Sequence, residues 1–425
     1  MKKLVVGVVV IAAVACSKKG GDNKENKEGS GAGSGTAVTV ESKGSGSAAP
    51  GSAAAPGAGS AKPAEPAPAA STIKVDPEIQ KRVADIVTNC KVNVESWSVW
   101  ECKGEEKDAI FKYIWDKKPD NAFESLTEIA VTEGAKDQKY LLAVVDTWPG
   151  FRDRDFTKKL STPAAADRVL KLLPMLPPKA DFNGAFIPLV AGKRAELTAV
   201  LAKLPADSKA KSAAIRDYLD WGGMEAFPDV QAFYKNATTD DERRAATSSV
   251  GHAIGGNIAA SMGIQKWVTD ADKPALCDWV KGIALDPATP EAAYFGAGDS
   301  LSRCKGTYID DALNAIDARL KAEKLTSTNA NLLQHMCWGE GLVGGSLNGT
   351  PAQCERAFNL LAANVTDKTL EGERLRVPLY IIGSMAEDTP ALKKKAIAVL
   401  SKFTGHKDKD ISDTAKERIA ELKKK

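Results

Sequence analysis

The chain has 425 residues, of which 58 are Lys or Arg and 55 are Asp or Glu, for a formal net charge of +3. So even a balance gives no electrostatic footprint for nucleic acid and no broad attraction to anionic lipid. The 43% hydrophobic share is that of an ordinary soluble fold, but Gly, Ser, Ala and Pro crowd positions 17–71, so the core must come from the residues after them.

Lys2 and Lys3 open the chain, an apolar run follows over 4–12, and Ala13, Val14, Ala15 and Cys16 close it. Positive charge, a short apolar helix and then small residues make a secretory signal, too short to span a bilayer and so expected to be cleaved. The cysteine placed directly after small residues resembles the lipobox of bacterial lipoproteins, with Ala13 where that family usually carries leucine. The resemblance implies that the Cys16 thiol receives a diacylglycerol, that cleavage falls just before it, and that the new amino terminus is acylated. It implies a lipid bilayer of the cell envelope as a partner through acylated Cys16. Ser17 stands where lipoproteins retained at the inner membrane carry aspartate, so the same resemblance favours the outer membrane.

Residues 1–15 therefore read as signal peptide and 16–72 as the lipidated cysteine with a linker. The linker lacks the large apolar side chains that offset chain entropy, so it is expected to stay disordered. With about 55 residues its root-mean-square reach is on the order of 40 Å, enough to tether a folded part near a membrane without fixing its orientation.

Beyond Cys16 stand six more cysteines, Cys90, Cys102, Cys277, Cys304, Cys337 and Cys354. An even number in an exported chain favours pairing, although sequence alone does not choose the connectivity. Nearest-neighbour pairing is the expectation: Cys90 with Cys102, Cys277 with Cys304, Cys337 with Cys354. With no CxxC pair and only His252, His335 and His406 as histidines, no metal site and no cofactor are expected.

From 73 onward the pattern is helical. Asp76-Pro77-Glu78 starts a helix with Ile79, Val83, Ile86 and Val87 at helical spacing, and 89–103 follows as a polar loop holding Cys90, Trp97, Trp100 and Cys102. The two tryptophans are either a binding platform or cover for neighbouring helices. Helical stretches are then expected over 105–115, 121–133, 139–148, 163–176, 186–204, 209–221, 228–236, 240–262, 264–268, 275–285, 290–304, 309–324, 329–338, 351–365, 373–386, 390–403 and 410–422. A sub-boundary is placed near 237–240. Thr162 before Pro163 supplies a capping hydroxyl with proline at the first helical position. Almost nothing alternates with period two, so no sheet is expected.

In 240–262, Ala245, Ser249, Ala253, Gly256 and Ala260 line one side and Gly251 and Gly255 sit four apart, a spacing for close helix packing inside the fold. At the end of the chain, Leu392, Ala396, Val399, Leu400 and Phe403, then Ile411, Ala415, Ile419 and Leu422, form paired amphipathic stripes. With 379–386 before them, these are similar in pattern to HEAT and armadillo repeats, which stack helix pairs into a solenoid. No fixed period aligns upstream. The fold expected is all-α: an irregular α-solenoid or stacked helical hairpins over 73–425.

No catalytic motif emerges. Residues 339–344 match GxGxxG, but helical sequence precedes them and no βαβ unit is visible, so a glycine-rich interhelix loop is the reading. His335 and Cys337 would suit a thiol and imidazole pair only if that cysteine were not in a disulfide. Arg152 and Arg154 alternate with Asp153 and Asp155; they suit a surface ion-pair cluster, or a weak grip on a carboxylate or phosphate. The function expected is an envelope lipoprotein that binds a protein or peptide; an enzyme whose site is assembled from distant residues and a structural spacer are the alternatives.

Overall fold

A computed structural model of the protein describes residues 73–93, 98–146, 162–255, 268–323, 325–337, 348–366 and 373–424. Cys16, Trp97, Arg152, Arg154, the segment 264–267 and the glycines of 339–344 lie outside them, and of Trp100 the backbone alone is described. Residues Ala70–Lys425 form one compact unit. The class is all-α: among the described residues there are eighteen helices of four or more residues and one two-stranded hairpin.

Helix α1 (Pro77–Asn89) leads into strands β1 (Cys90–Asn93) and β2 (Ser98–Cys102), followed by α2 (Glu106–Lys117), α3 (Ala122–Thr132) and α4 (Gln138–Asp146). Then come α5 (Pro163–Leu172), α6 (Phe186–Val190), α7 (Arg194–Leu201), α8 (Lys209–Gly222), α9 (Phe227–Asn236) and α10 (Asp240–Gly255). The remainder are α11 (Lys273–Leu285), α12 (Glu291–Cys304), α13 (Thr307–Ala322), α14 (Ser327–His335), α15 (Pro351–Asn364), α16 (Glu373–Asp388), α17 (Lys393–Ser401) and α18 (Lys409–Lys424).

Side-chain oxygens fix where these helices start. Asp76 accepts from the amides of Glu78 and Ile79 ahead of Pro77, and its carboxylate also accepts from the Tyr113 hydroxyl, so the cap of α1 anchors α2. Thr162 caps α5, Ser208 caps α8, Thr326 caps α14, and Thr350 with Gln353 forms a capping box at α15. At α10 the Glu242 carboxylate accepts from the amides of Thr238 and Thr239 and pairs with Lys211 of α8 at 2.6 Å, with Glu242 buried and Lys211 partly so. Burial alone would push the Glu242 carboxyl up, but Lys211 and the two amides outweigh it and hold it below the usual range.

Packing is local along the chain. Helices α6, α8, α10, α12, α14, α16 and α18 each lie against the next in that series, while α11, α13 and α15 do the same in a second row beside them. Helices α9 and α10, on either side of 237–239, pack on one another.

The most extensive contact in the row is α10 on α12. Ser300 Oγ of α12 donates to the Thr247 carbonyl at 2.8 Å and accepts from the Gly251 amide at 2.9 Å. Such contacts between backbone and side chain require small residues on both helices. On the other flank of α10, Ser249 Oγ accepts from the Leu219 amide of α8 at 3.2 Å. The small-residue helix thus grips both neighbours.

Three readings of the sequence change. The stretch 89–103 holds an antiparallel hairpin rather than only a loop, with Cys90 opposite Cys102 and a register shift after Lys91. It docks through buried Val99, whose amide donates to Asp146 of α4 at 3.2 Å. The stretch 186–204 is two helices, because Gly192 adopts φ +77° between α6 and α7. The third concerns the cysteines. Cys90 bonds Cys102 and Cys277 bonds Cys304, tying α11 to the end of α12, but Cys337 and Cys354 are buried thiols. Their sulfurs meet through a hydrogen bond in place of a covalent bond.

The interlock of α10 and α12 sets an expected contrast between two glycines. A methyl at Gly296 would overlap Thr247 Oγ1 and come within 2.8 Å of the Arg244 carbonyl, which cannot rotate away, whereas Gly282 in α11 has nothing within 4 Å. Alanine gains up to about 1 kcal/mol of helix propensity over glycine at either place. Overpacking costs about 1–3 kcal/mol. Urea denaturation should show Gly296→Ala net destabilised and Gly282→Ala slightly stabilised.

Candidate functional site

Four successive helices of the first row carry ionisable side chains that converge on one seam. Helix α8 supplies Arg216 and Asp217, α10 supplies His252, α12 supplies Asp299 and Arg303, and α14 ends on His335. Phe295, Asp299 and Arg303 fall at i, i+4 and i+8, on one face of α12.

His335 Nδ1 lies 2.7 Å from Asp299 Oδ1. Burial pushes the Asp299 carboxyl up, but the hydrogen bond to His335 and the charges of His335, Arg303 and His252 hold it below the usual carboxylate range. An ionised carboxylate only accepts, so Nδ1 carries a proton and donates it to Asp299, which orients the ring and leaves Nε2 facing away from the carboxylate. The Phe295 ring meets the imidazole edge-on with centroids 6.0 Å apart, and the Arg244 guanidinium sits over the Phe295 ring, 4.5 Å from its centroid.

Arg303 Nε is 3.7 Å from Asp299 Oδ2. Its side chain runs across α10 where Gly251 and Gly255 leave room: a Cβ on Gly255 would meet Arg303 Cδ at 2.7 Å. The paired glycines thus seat an arginine as well as a helix. Next to them, His252 Nδ1 is 3.9 Å from Asp217 Oδ1, which accepts from Arg216 Nε at 2.9 Å. Burial lowers the His252 pKa, against the pull of Asp217 and with the push of Arg216 and Arg303, so His252 stays neutral further into acid than an ordinary imidazole.

The seam is reachable. His252 and His335 keep 38% and 29% of their side-chain surface exposed, against 15% for Asp299 and 17% for Arg303. An aspartate-oriented imidazole has the form of a general base. The nearby hydroxyls are committed elsewhere: Ser300 Oγ bridges to α10, and Ser302 Oγ donates to the Asp299 carbonyl at 2.6 Å. The arrangement therefore offers charge and hydrogen bonds to a ligand rather than a nucleophile among the described residues.

Sequence reasoning singled out His252 and His335 but not their partners. It weighed His335 against Cys337, two positions away, whereas the imidazole bonds Asp299, 36 positions earlier. His406 is separate, its Nδ1 accepting from the Asp408 amide in a turn. Among the described residues the one cluster with metal-ligand spacing is Cys90, Cys102 and Glu106, and both of its sulfurs are spent in a disulfide. No helix among the described residues is long and apolar enough to cross a membrane. No family model and no curated protein matches the chain.

Asp299 should report on the seam through stability. A carboxyl whose folded pKa is lowered contributes stability above its unfolded value, about 3.9, and loses that contribution as pH falls through the folded value. Asp299→Asn is expected to cost about 1–3 kcal/mol at neutral pH, since it leaves Arg303 and His335 without their anion. Denaturant midpoints should show the gap to wild type at full size above about pH 4 and closing below it.

Proposed function

We propose that the protein is a lipid-anchored lipoprotein of the cell envelope whose helical domain binds a protein or peptide along the seam of α8, α10, α12 and α14. The single observation that carries the binding half is the convergence of Arg216, Asp217, His252, Asp299, Arg303 and His335 from four successive helices of one row. Rows of stacked helices present extended surfaces, and an extended partner can be read by one helix after another. Arginine with an aromatic neighbour is a favoured anchor at such surfaces.

The address rests on Met1–Cys16: two lysines, an apolar run, small residues and a cysteine, the lipobox pattern of bacterial lipoproteins. Two disulfides in the folded part suit an oxidising compartment. The outer membrane is the preferred site because Ser17 follows the cysteine. The repeat pattern of the last helix pairs, similar to HEAT and armadillo units, fits a scaffold role. A second reading, an envelope enzyme, is favoured by the aspartate-oriented His335 alone.

Metabolic labelling with palmitate should mark the wild-type chain and leave Cys16→Ala unlabelled and released from membranes; equal labelling of both would contradict the address. For the binding half, the intact lipoprotein should retain a stoichiometric partner that His252→Ala, a half-exposed seam variant, loses. Turnover of a small molecule by the pure chain, with no partner retained, would favour the enzyme.

A further inference from the structure

Cys337 and Cys354 stand apart from the other cysteines of the folded domain, since the remaining four are paired in disulfides and these two are buried thiols in mutual contact. Cys337 follows the end of α14 by two residues, and Cys354 lies in the first turns of α15. The two ends are pressed together: a Cβ on Gly349 would come 2.6 Å from the Met336 carbonyl and 3.3 Å from Gln353 Cβ. A clasp closes over the same place. The Asn348 amide donates to the Cys337 carbonyl at 3.2 Å, and Asn348 Nδ2 donates to the His335 carbonyl at 3.0 Å and approaches Ser302 Oγ of α12 at 3.4 Å.

We infer that Cys337 and Cys354 are an oxidation site, a dithiol that closes to a disulfide, and that the bond, acting through the Asn348 clasp, sets the position of His335 against Asp299. The observation behind it is the shared backbone. The Cys337 carbonyl, beside one end of the new bond, accepts from the Asn348 amide, and the Asn348 side chain donates to the carbonyl of the residue that bears the imidazole. Closing the bond draws the start of α15 toward the chain just past His335, and Asn348 passes that shift to the His335 carbonyl.

The chemistry is thiol–disulfide exchange with an oxidant that itself carries a disulfide, such as oxidised glutathione or a dithiol oxidase. Both sulfurs are buried, so exchange follows local opening of the junction between α14 and α15; there the hydrogen bond from Cys337 holds the Cys354 pKa below the usual range against the upward push of burial. Cys354 thiolate attacks the oxidant's disulfide, releasing one thiolate and forming a mixed disulfide. Cys337 thiolate then displaces the second sulfur. The protein loses two hydrogens and two electrons, and the oxidant leaves fully reduced as two thiols.

The inference does not depend on export or on the partner proposed above, since the test runs on the purified full-length chain. That chain is equilibrated with mixtures of reduced and oxidised glutathione, mapped by mass spectrometry after non-reducing digestion, and followed by the NMR ring resonances of its three histidines at fixed pH. The expected result is a third disulfide, Cys337 to Cys354, accompanied by a change in the ring resonances of His335 with those of His406 unmoved. Recovery of both cysteines as thiols under oxidising mixtures that leave the other two disulfides intact would overturn the oxidation site. A disulfide that forms while the His335 ring resonances stay where they were would overturn the coupling. Cys337→Ser is the check on specificity: its His335 ring resonances should not move between glutathione ratios, and a change with oxidation would equally contradict the inference.

Discussion

The structure depends most on the approach of α10 to α12. Ser300 reaches the backbone of α10 at two points, Gly296 lies under Thr247, and Gly251 and Gly255 lie under the stem of Arg303. Each of these contacts exists because a side chain is small or missing. Any larger residue would push the helices apart, and the ionisable groups they carry would separate with them. The same interlock that packs the core thus sets the spacing of the seam, with Asp299 shared between Arg303 and His335.

Charge within the seam is nearly compensated. Asp217 faces Arg216 and His252, while Asp299 faces Arg303 and His335, so two carboxylates hold two guanidinium groups with two imidazoles at the edges. Around neutral pH this makes a polar but weakly charged surface. Such a surface favours hydrogen-bonded recognition over long-range steering. Acid changes the balance, because protonation of His252 adds charge beside Arg216 and Arg303, the groups that already disfavour it.

The helices were legible in the sequence because their signals are local. Thr162 with Pro163 and the stripe from Leu392 to Phe403 each mark helical spacing within a few residues, and helices stand there, with single 3-10 turns at Leu173–Met175 and Pro390–Leu392 finishing or starting them. The hairpin was not legible. Cys90–Asn93 and Ser98–Cys102 are too short to show alternation above the noise, and their pairing is pinned by the Cys90 to Cys102 bond and by Asp146, which is distant in sequence. The seam was half legible: the histidines stood out by rarity, but Asp299, Arg303 and Asp217 look like any helix-surface charges until α8, α12 and α14 are set side by side. The glycines of α10 announced close packing, yet nothing local says that an arginine from α12 fills the space they leave.

The central claim is that Asp299 and His335, on different helices, act as one unit. A double-mutant cycle over Asp299→Asn and His335→Gln, read as unfolding free energies at neutral pH, tests it most directly. A coupling energy of about 1 kcal/mol or more is the result this structure predicts. Strictly additive effects of the two substitutions would contradict it.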